Sequence, residues 1–261
     1  MNYNENTINK LYHGSRLINV TVNNGSGSTL PENIESWELD SFGKPTSIVV
    51  KNGVTSIPRD FQHYNTSLSS CTLPNSVTSI GNDAFSHIIP TKQSVDLSST
   101  LASGLTSGCQ NMFSSSNLSG DYFVPSALLQ LTTSGSSLVS NCYQMFYQAN
   151  SMYTSNPNRP NVEIGEGATN VANSMFSWGR FNTVTLPSTI VYIDNDAFSY
   201  SYISSLTIKA TTPPTLFTTS GYNWPFYNNN ITTIYVPSSA LSTYKSTDGW
   251  SSLSSKLQAI P

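Results

Sequence analysis

Leu73-Pro-Asn-Ser-Val-Thr-Ser-Ile80-Gly-Asn-Asp-Ala-Phe85 lines up without a gap on Leu186-Pro-Ser-Thr-Ile-Val-Tyr-Ile193-Asp-Asn-Asp-Ala-Phe198. Leu, Pro, Ile, the Asn-Asp-Ala-Phe run and the branched residue at Val77 or Ile190 coincide. A third register surrounds Val50, Val54 and Ile57, 23 residues before Leu73, Val77 and Ile80. Self-similarity at a fixed short period marks a stacked array, because one such unit cannot bury its apolar face alone.

Worked outward, the template predicts a strand with two inward apolar residues in every repeat. The pairs are Ile48/Val50, Cys71/Leu73, Val95/Leu97, Tyr122/Val124, Val162/Ile164, Val184/Leu186, Leu206/Ile208 and Ile234/Val236. Their second members are 23, 24, 27, 40, 22, 22 and 28 residues apart. The long step predicts an insertion, placed in the Gly/Ser/Asn/Pro-rich stretches around Leu131–Leu138 and Asn150–Pro160. Beside the pairs runs a ladder of Phe61, Phe85, Phe113, Phe146, Phe176, Phe198 and Phe226.

Most steps match the period of a leucine-rich repeat. The expected fold is therefore an α/β, right-handed leucine-rich-repeat solenoid with an irregular or 3-10 convex side. Eight strands would form one parallel sheet, roughly 34 Å long at the usual strand spacing. Leu73, Ile80, Phe85, Phe113, Phe146, Phe176, Leu186, Ile193, Phe198 and Phe226 would form its core. Thr72, Thr185, Thr207 and Tyr235 would line its open face, with Ser70, Thr183, Ser205 and Thr233 beside them.

The Leu-Pro-x-Ser-(Val/Ile)-x-x-Ile-x-x-x-Ala-Phe pattern resembles the BspA-type leucine-rich repeat. The variants Asn111-Met112-Phe113, Gln144-Met145-Phe146 and Ser174-Met175-Phe176 resemble the related repeats of mycoplasma-type surface lipoproteins. The resemblance spans about residues 45–260. It implies adhesion or recognition through the repeat surface, with no shared catalytic residue, so the protein is expected not to be an enzyme.

Composition narrows the function classes. The 261 residues carry a net charge of −3, and only 10% are charged, against about 25% in ordinary soluble domains. The 11 Lys and Arg are scattered, which argues against a nucleic-acid groove. No apolar run approaches the ~20 residues of a membrane span. Met1 to Lys10 carries no apolar export signal, so a place on a virion or, after loss of a signal, on a bacterial cell surface are both open; either is extracellular. Expected partners are a protein or glycan on a cell surface, or neighbouring virion proteins.

The chain divides into residues 1–29, 30–237 and 238–261. Ile8–Tyr12 and Leu17–Val22 predict a hairpin around His13-Gly14-Ser15, followed by a flexible linker at 23–29. This segment resembles the N-terminal parts of phage tail-associated proteins and is read as a docking element or a first-repeat cap. At the other end, Leu241/Tyr244 and Trp250/Leu253/Leu257 fall at helical spacing. They predict a cap of two short helices, with Ser238 or Ser239 as the first N-cap.

The search for chemistry yields little. None of His13, His63 and His87 lies three to five residues from another His or Cys, so a zinc site has no local support. Asn82-Asp83 and Asp194-Asn195-Asp196 recur just before the core Phe, which favours turn formation over calcium binding. Neither metal nor cofactor is expected. Cys109 and Cys142 occupy matching repeat positions and are either buried thiols or a disulfide. Two aromatic groups remain, Tyr222/Trp224/Tyr227 and Tyr143/Tyr147/Tyr153, read either as contact residues or as loop packing.

Overall fold

The structure of the protein, a computed structural model, describes residues 7–13, 16–23, 32–89, 94–101, 104–129, 132–134, 137–139, 142–151, 159–218 and 221–261. The β-branched stretches Arg180–Leu186, Tyr202–Ile208 and Asn230–Val236 form three adjacent parallel strands. Val184 sits opposite Leu206 and Leu186 opposite Ile208, so the apolar pairs stack in the register that their spacing dictates. Asp121–Val124 and Asn161–Ile164 extend this sheet on one side and Leu257–Ala259 on the other, giving six strands. The repeats stack as a solenoid. Its inward side chains form one continuous buried cluster from Ile34 to Leu257.

Each repeat turns through a second, two-residue strand and then a compact loop. Ser56–Ile57, Ser79–Ile80 and Ser107–Gly108 pair in parallel, as do Asn170–Val171, Tyr192–Ile193 and Thr215–Leu216. At the last member of the first set the chain takes φ +89 at Gly108, where any Cβ would overlap the carbonyl of Ile80. Glycine is required there by close approach as well as by backbone conformation.

The single eight-stranded sheet expected from the spacing does not form. The six strands above are separate from Ile34–Leu39, Pro45–Val50 and Ser70–Thr72, which make a sheet of their own. Val95 pairs with Leu118, not Tyr122, and Tyr122 pairs with Val162. Tyr122 explains the break. Its fully buried ring lies 5.3 Å from Phe113 and 5.7 Å from Phe146, and its hydroxyl accepts the Leu97 N–H at 3.0 Å. The tyrosine thus satisfies a backbone donor that a strand neighbour would otherwise take, and the chain after Leu97 forms the 3-10 turn Ser98–Thr100.

The Phe ladder is shifted by one residue at its start. Gln62, Phe85, Phe113, Phe146, Phe176 and Phe198 each donate a backbone N–H to the residue before the next ladder position. Gln62, not Phe61, is therefore the first rung. Its amide oxygen accepts from Asn65 Nδ2 at 2.7 Å, a polar end to an apolar column. Phe61 is half-buried and meets Phe85 edge-on at 6.0 Å. A further inward column of Phe181, Ile203 and Ile231 was absent from the sequence reading.

The C-terminal segment holds less helix than its periodicity predicts. Only Leu241–Ser246 is α-helical, Trp250–Leu253 is a 3-10 turn, and Leu257 lies in the sixth strand. Neither Ser238 nor Ser239 caps it; Pro237 and Ala240 precede the 3-10 and α-helical turns without a side-chain bond. The anchors are aromatic. Trp250 packs 5.4 Å from Phe226 and donates its indole N–H to the Pro214 carbonyl, and Tyr244 donates its hydroxyl to the Ala210 carbonyl.

Near the N-terminus Thr7–His13 pairs antiparallel with Arg16–Asn23. The linker expected at 23–29 lies, apart from Asn23, outside the described residues. In the insertion, Thr132–Ser134 and Ser137–Val139 form a second small hairpin. Cys71, Cys109 and Cys142 are buried thiols. Burial pushes Cys109 up to about 12 and raises the other two as well, so none has the thiolate character of a reactive cysteine.

Candidate recognition surface

The turn that closes each repeat carries two residues with left-handed backbone, four apart. They are Asp60/Tyr64, Asp83/His87, Asn111/Ser115, Gln144/Gln148, Ser174/Trp178 and Asp196/Tyr200. Such a conformation costs roughly 1–3 kcal/mol for a residue with a Cβ, and the stack compensates. Three backbone N–H groups of one turn bond carbonyls of the next, as Ser174 does to Asn195, Phe176 to Ala197 and Trp178 to Ser199. The recurring Asp and Asn residues are therefore turn formers, since short polar side chains tolerate this region. Asp194 Oδ1 accepts its neighbour's N–H at 2.7 Å, and Asp196 Oδ1 accepts from Ser199. Among the described residues no group of three His, Cys, Asp or Glu could hold a metal ion.

Between the two left-handed positions the ladder Phe turns inward. The second position begins an outer column: Tyr64, His87, Ser115, Gln148, Trp178, Tyr200 and Asn228. Trp178 is 45% exposed and stacks on Tyr200 at 4.1 Å with planes 13° apart. Tyr200 meets Tyr227 at 5.4 Å, and Tyr227 meets Tyr222 at 5.2 Å. Four rings thus follow one another along the surface of the last repeats. Desolvation, with Tyr200 and Tyr222 beside it, raises the Tyr227 phenol above its ordinary range. Next to this run, the Arg180 guanidinium lies 3.9 Å from the centre of the Tyr202 ring.

At the other end of the column, Tyr64 stacks against His63 at 4.1 Å and lies 4.5 Å from His87; the two imidazoles are 5.2 Å apart. Burial lowers the His87 pKa, with the charge of His63 adding to it and Asp83 opposing.

The structure sorts the aromatics singled out from the sequence. Tyr222 is 79% exposed and Tyr227 half-buried, both within the ring run. Trp224 turns toward the core and packs 5.8 Å from Phe226. Tyr143 is at the edge of exposure and Tyr147 half-buried, both on the turn around Phe146; Tyr153 lies outside the described residues. Trp178, Tyr200, Tyr202 and Arg180 were missed. A signal existed: Phe85-Ser-His87, Phe176-Ser-Trp178 and Phe198-Ser-Tyr200 share a ring two residues after the ladder Phe.

On the open sheet face, Phe123, Glu163, Thr185, Thr207 and Tyr235 lie in one row. Lys209 reaches Glu163 at 3.2 Å, and Phe123 is more than half exposed. Among the described residues no helix is long and apolar enough to cross a membrane.

No curated protein matches the chain in sequence. The family model for the BspA type leucine rich repeat region matches residues 32–152 and 149–247, in six copies. Stacked turns, inward Phe rungs and parallel strands agree with that match, and the chain belongs to the BspA-type leucine-rich repeat family.

Proposed function

We propose that this is a non-catalytic recognition protein that works outside the cell and holds its partner, a protein or glycan of a cell surface, against the turn face of its last repeats. The observation that carries this reading is the run Trp178–Tyr200–Tyr227–Tyr222. Aromatic residues at a surface supply large contact area at small entropic cost, and they dominate the energetics of most recognition surfaces. Their place on a backbone pinned by three bonds per turn keeps them preorganised.

Two carriers fit. A virion mount, as a phage tail or capsid-decoration protein contacting the host, is supported by the strands Thr7–His13 and Arg16–Asn23, which among the described residues pair with no other strand and would dock to neighbouring virion proteins. A BspA-like adhesin of the bacterial surface is supported by the family match. The test is adhesion of labelled protein to candidate cells, comparing the full chain with Trp178→Ala and Tyr222→Ala. Folded variants that adhere as well as the parent would overturn the reading. Deleting residues 1–29 separates the carriers, since only a virion mount would lose incorporation into particles.

A further inference from the structure

Trp178 and Arg180 are two residues apart and share an arrangement. Each has one face covered by a tyrosine of the following repeat, Tyr200 at 4.1 Å and Tyr202 at 3.9 Å. On their other side lies the preceding turn, tied to them by Gln148 N–H to the Ser177 carbonyl and Arg180 N–H to the Ala149 carbonyl. That turn places no ring against them. Gln148 of that turn also lines, with Ile89, Ser115 and Asn150, a shallow depression to which neither Trp178 nor Arg180 contributes. Gln148 Oε1 accepts from Ser115 Oγ at 3.2 Å, and its amide nitrogen makes only a 3.5 Å contact to Tyr147 Oη. The amide therefore keeps donor capacity for a ligand.

The cation is uncommitted as well. Among the described residues, no carboxylate lies within ion-pairing distance of Arg180. Stacking on Tyr202 holds the guanidinium in place without neutralising it. A fixed, unpaired guanidinium is a bidentate receptor for a carboxylate. The indole two residues before it offers an apolar face to the C–H groups of a sugar ring, and the Gln148 amide offers a hydrogen bond to a hydroxyl.

We propose that Trp178, Arg180 and Gln148 form a binding site for an acidic sugar, a pyranose ring bearing one carboxylate. The inference rests on the recognition reading above and specifies its ligand class. The ring packs on Trp178, the carboxylate on Arg180, and the hydroxyls or amide substituents on the Gln148 side. Sialic acids and hexuronic acids share this chemistry. A neutral sugar would retain the indole contact and lose the ion pair.

The experiment is saturation-transfer NMR and titration of the full chain with N-acetylneuraminic acid, glucuronic acid and glucose. An acidic sugar should bind, and glucose should bind roughly tenfold more weakly or not at all. Added salt should weaken the acidic ligand and leave glucose unchanged. Arg180→Gln should abolish the preference for the acid, Arg180→Lys should restore part of it, and Trp178→Ala should weaken both classes. Phe42→Ala, on the exposed Asp40–Lys44 turn, should change nothing. Which acid binds better separates the two sources. Equal binding of acid and neutral sugar, or a folded Arg180→Gln variant with undiminished preference, overturns the proposal. So does failure of every sugar to bind while the chain still adheres to cells, an outcome that leaves the recognition reading standing.

Discussion

Phe176 and Phe198 stack face to face, their centroids 5.2 Å apart and their planes 3° apart, although 22 residues separate them in the chain. Phe146 and Phe226 continue the stack on either side. All four rings are completely buried, and Phe146, Phe176 and Phe198 each add two stacking contacts to that burial.

Replacing Phe176 or Phe198 by Ala should therefore cost about 3–5 kcal/mol, the transfer loss and the cavity together. Urea unfolding midpoints measure it. Because stacked repeats couple to their neighbours, the double variant should depart from the sum of the two.

Gln62 occupies the first rung, 5% exposed, with its amide oxygen held by Asn65. Gln62→Ala should cost about 1–3 kcal/mol by removing that partner and opening a gap against Phe85. The loss should be smaller than for Phe85→Ala, since less apolar volume disappears. Thermal melts of the two variants, side by side, check the order.

Acid should loosen the first repeats. Burial and His63 hold the folded-state pKa of His87 below the ordinary imidazole value of 6.5, with Asp83 opposing and Asp60 and Arg59 beside the cluster. The unfolded chain thus takes up a proton first. The His87 contribution is present above about pH 6.5 and is lost as the pH falls through the folded pKa, where the slope ends. Urea midpoints at about pH 7.5 and about pH 5.5 should differ less in His87→Gln than in the parent.

Gly108→Ala tests the tightest backbone approach. Its φ of +89 and the Ile80 carbonyl leave no room for a methyl group. The expected loss exceeds roughly 1 kcal/mol, against a gain of several tenths where the backbone would accept Ala. Gly53→Ala, also at positive φ but with open space around it, should cost less; a melting comparison decides.

The sequence disclosed most where one residue type recurs at one spacing. Phe85, Phe113, Phe146, Phe176, Phe198 and Phe226 are all buried rungs, because a stack of equal rings needs the same side chain in every repeat. Phe181, Ile203 and Ile231 escaped notice. Two outward residues separate them from the next inward one, as in Phe181-Asn-Thr-Val184, and strict alternation misses that. Tyr122 read as an ordinary strand residue; its role depends on the reach of its hydroxyl to Leu97, which spacing does not encode. The recognition surface was half legible for a different reason. Its positions are fixed by backbone conformation while the side chains vary from Tyr and His to Ser, Gln and Trp, so no repeated letter marks the column.

The direction of the bonds between turns has an electrical result. From Gln62 to Ala84 through Phe198 to Pro225, each ladder N–H points forward to a later carbonyl. Each peptide carries a dipole of about 3.5 D, and on this face the dipoles add head to tail, negative toward the Gln62 end and positive toward Phe226. Beside the turns single bonds run the other way, Gly81 donating back to Ile57 and Cys109 to Ile80. The turn face thus carries a polarisation of its own, and a chain with few formal charges still presents a field gradient along its turns. An anion approaching the last repeats meets the positive end of that gradient before it meets Arg180.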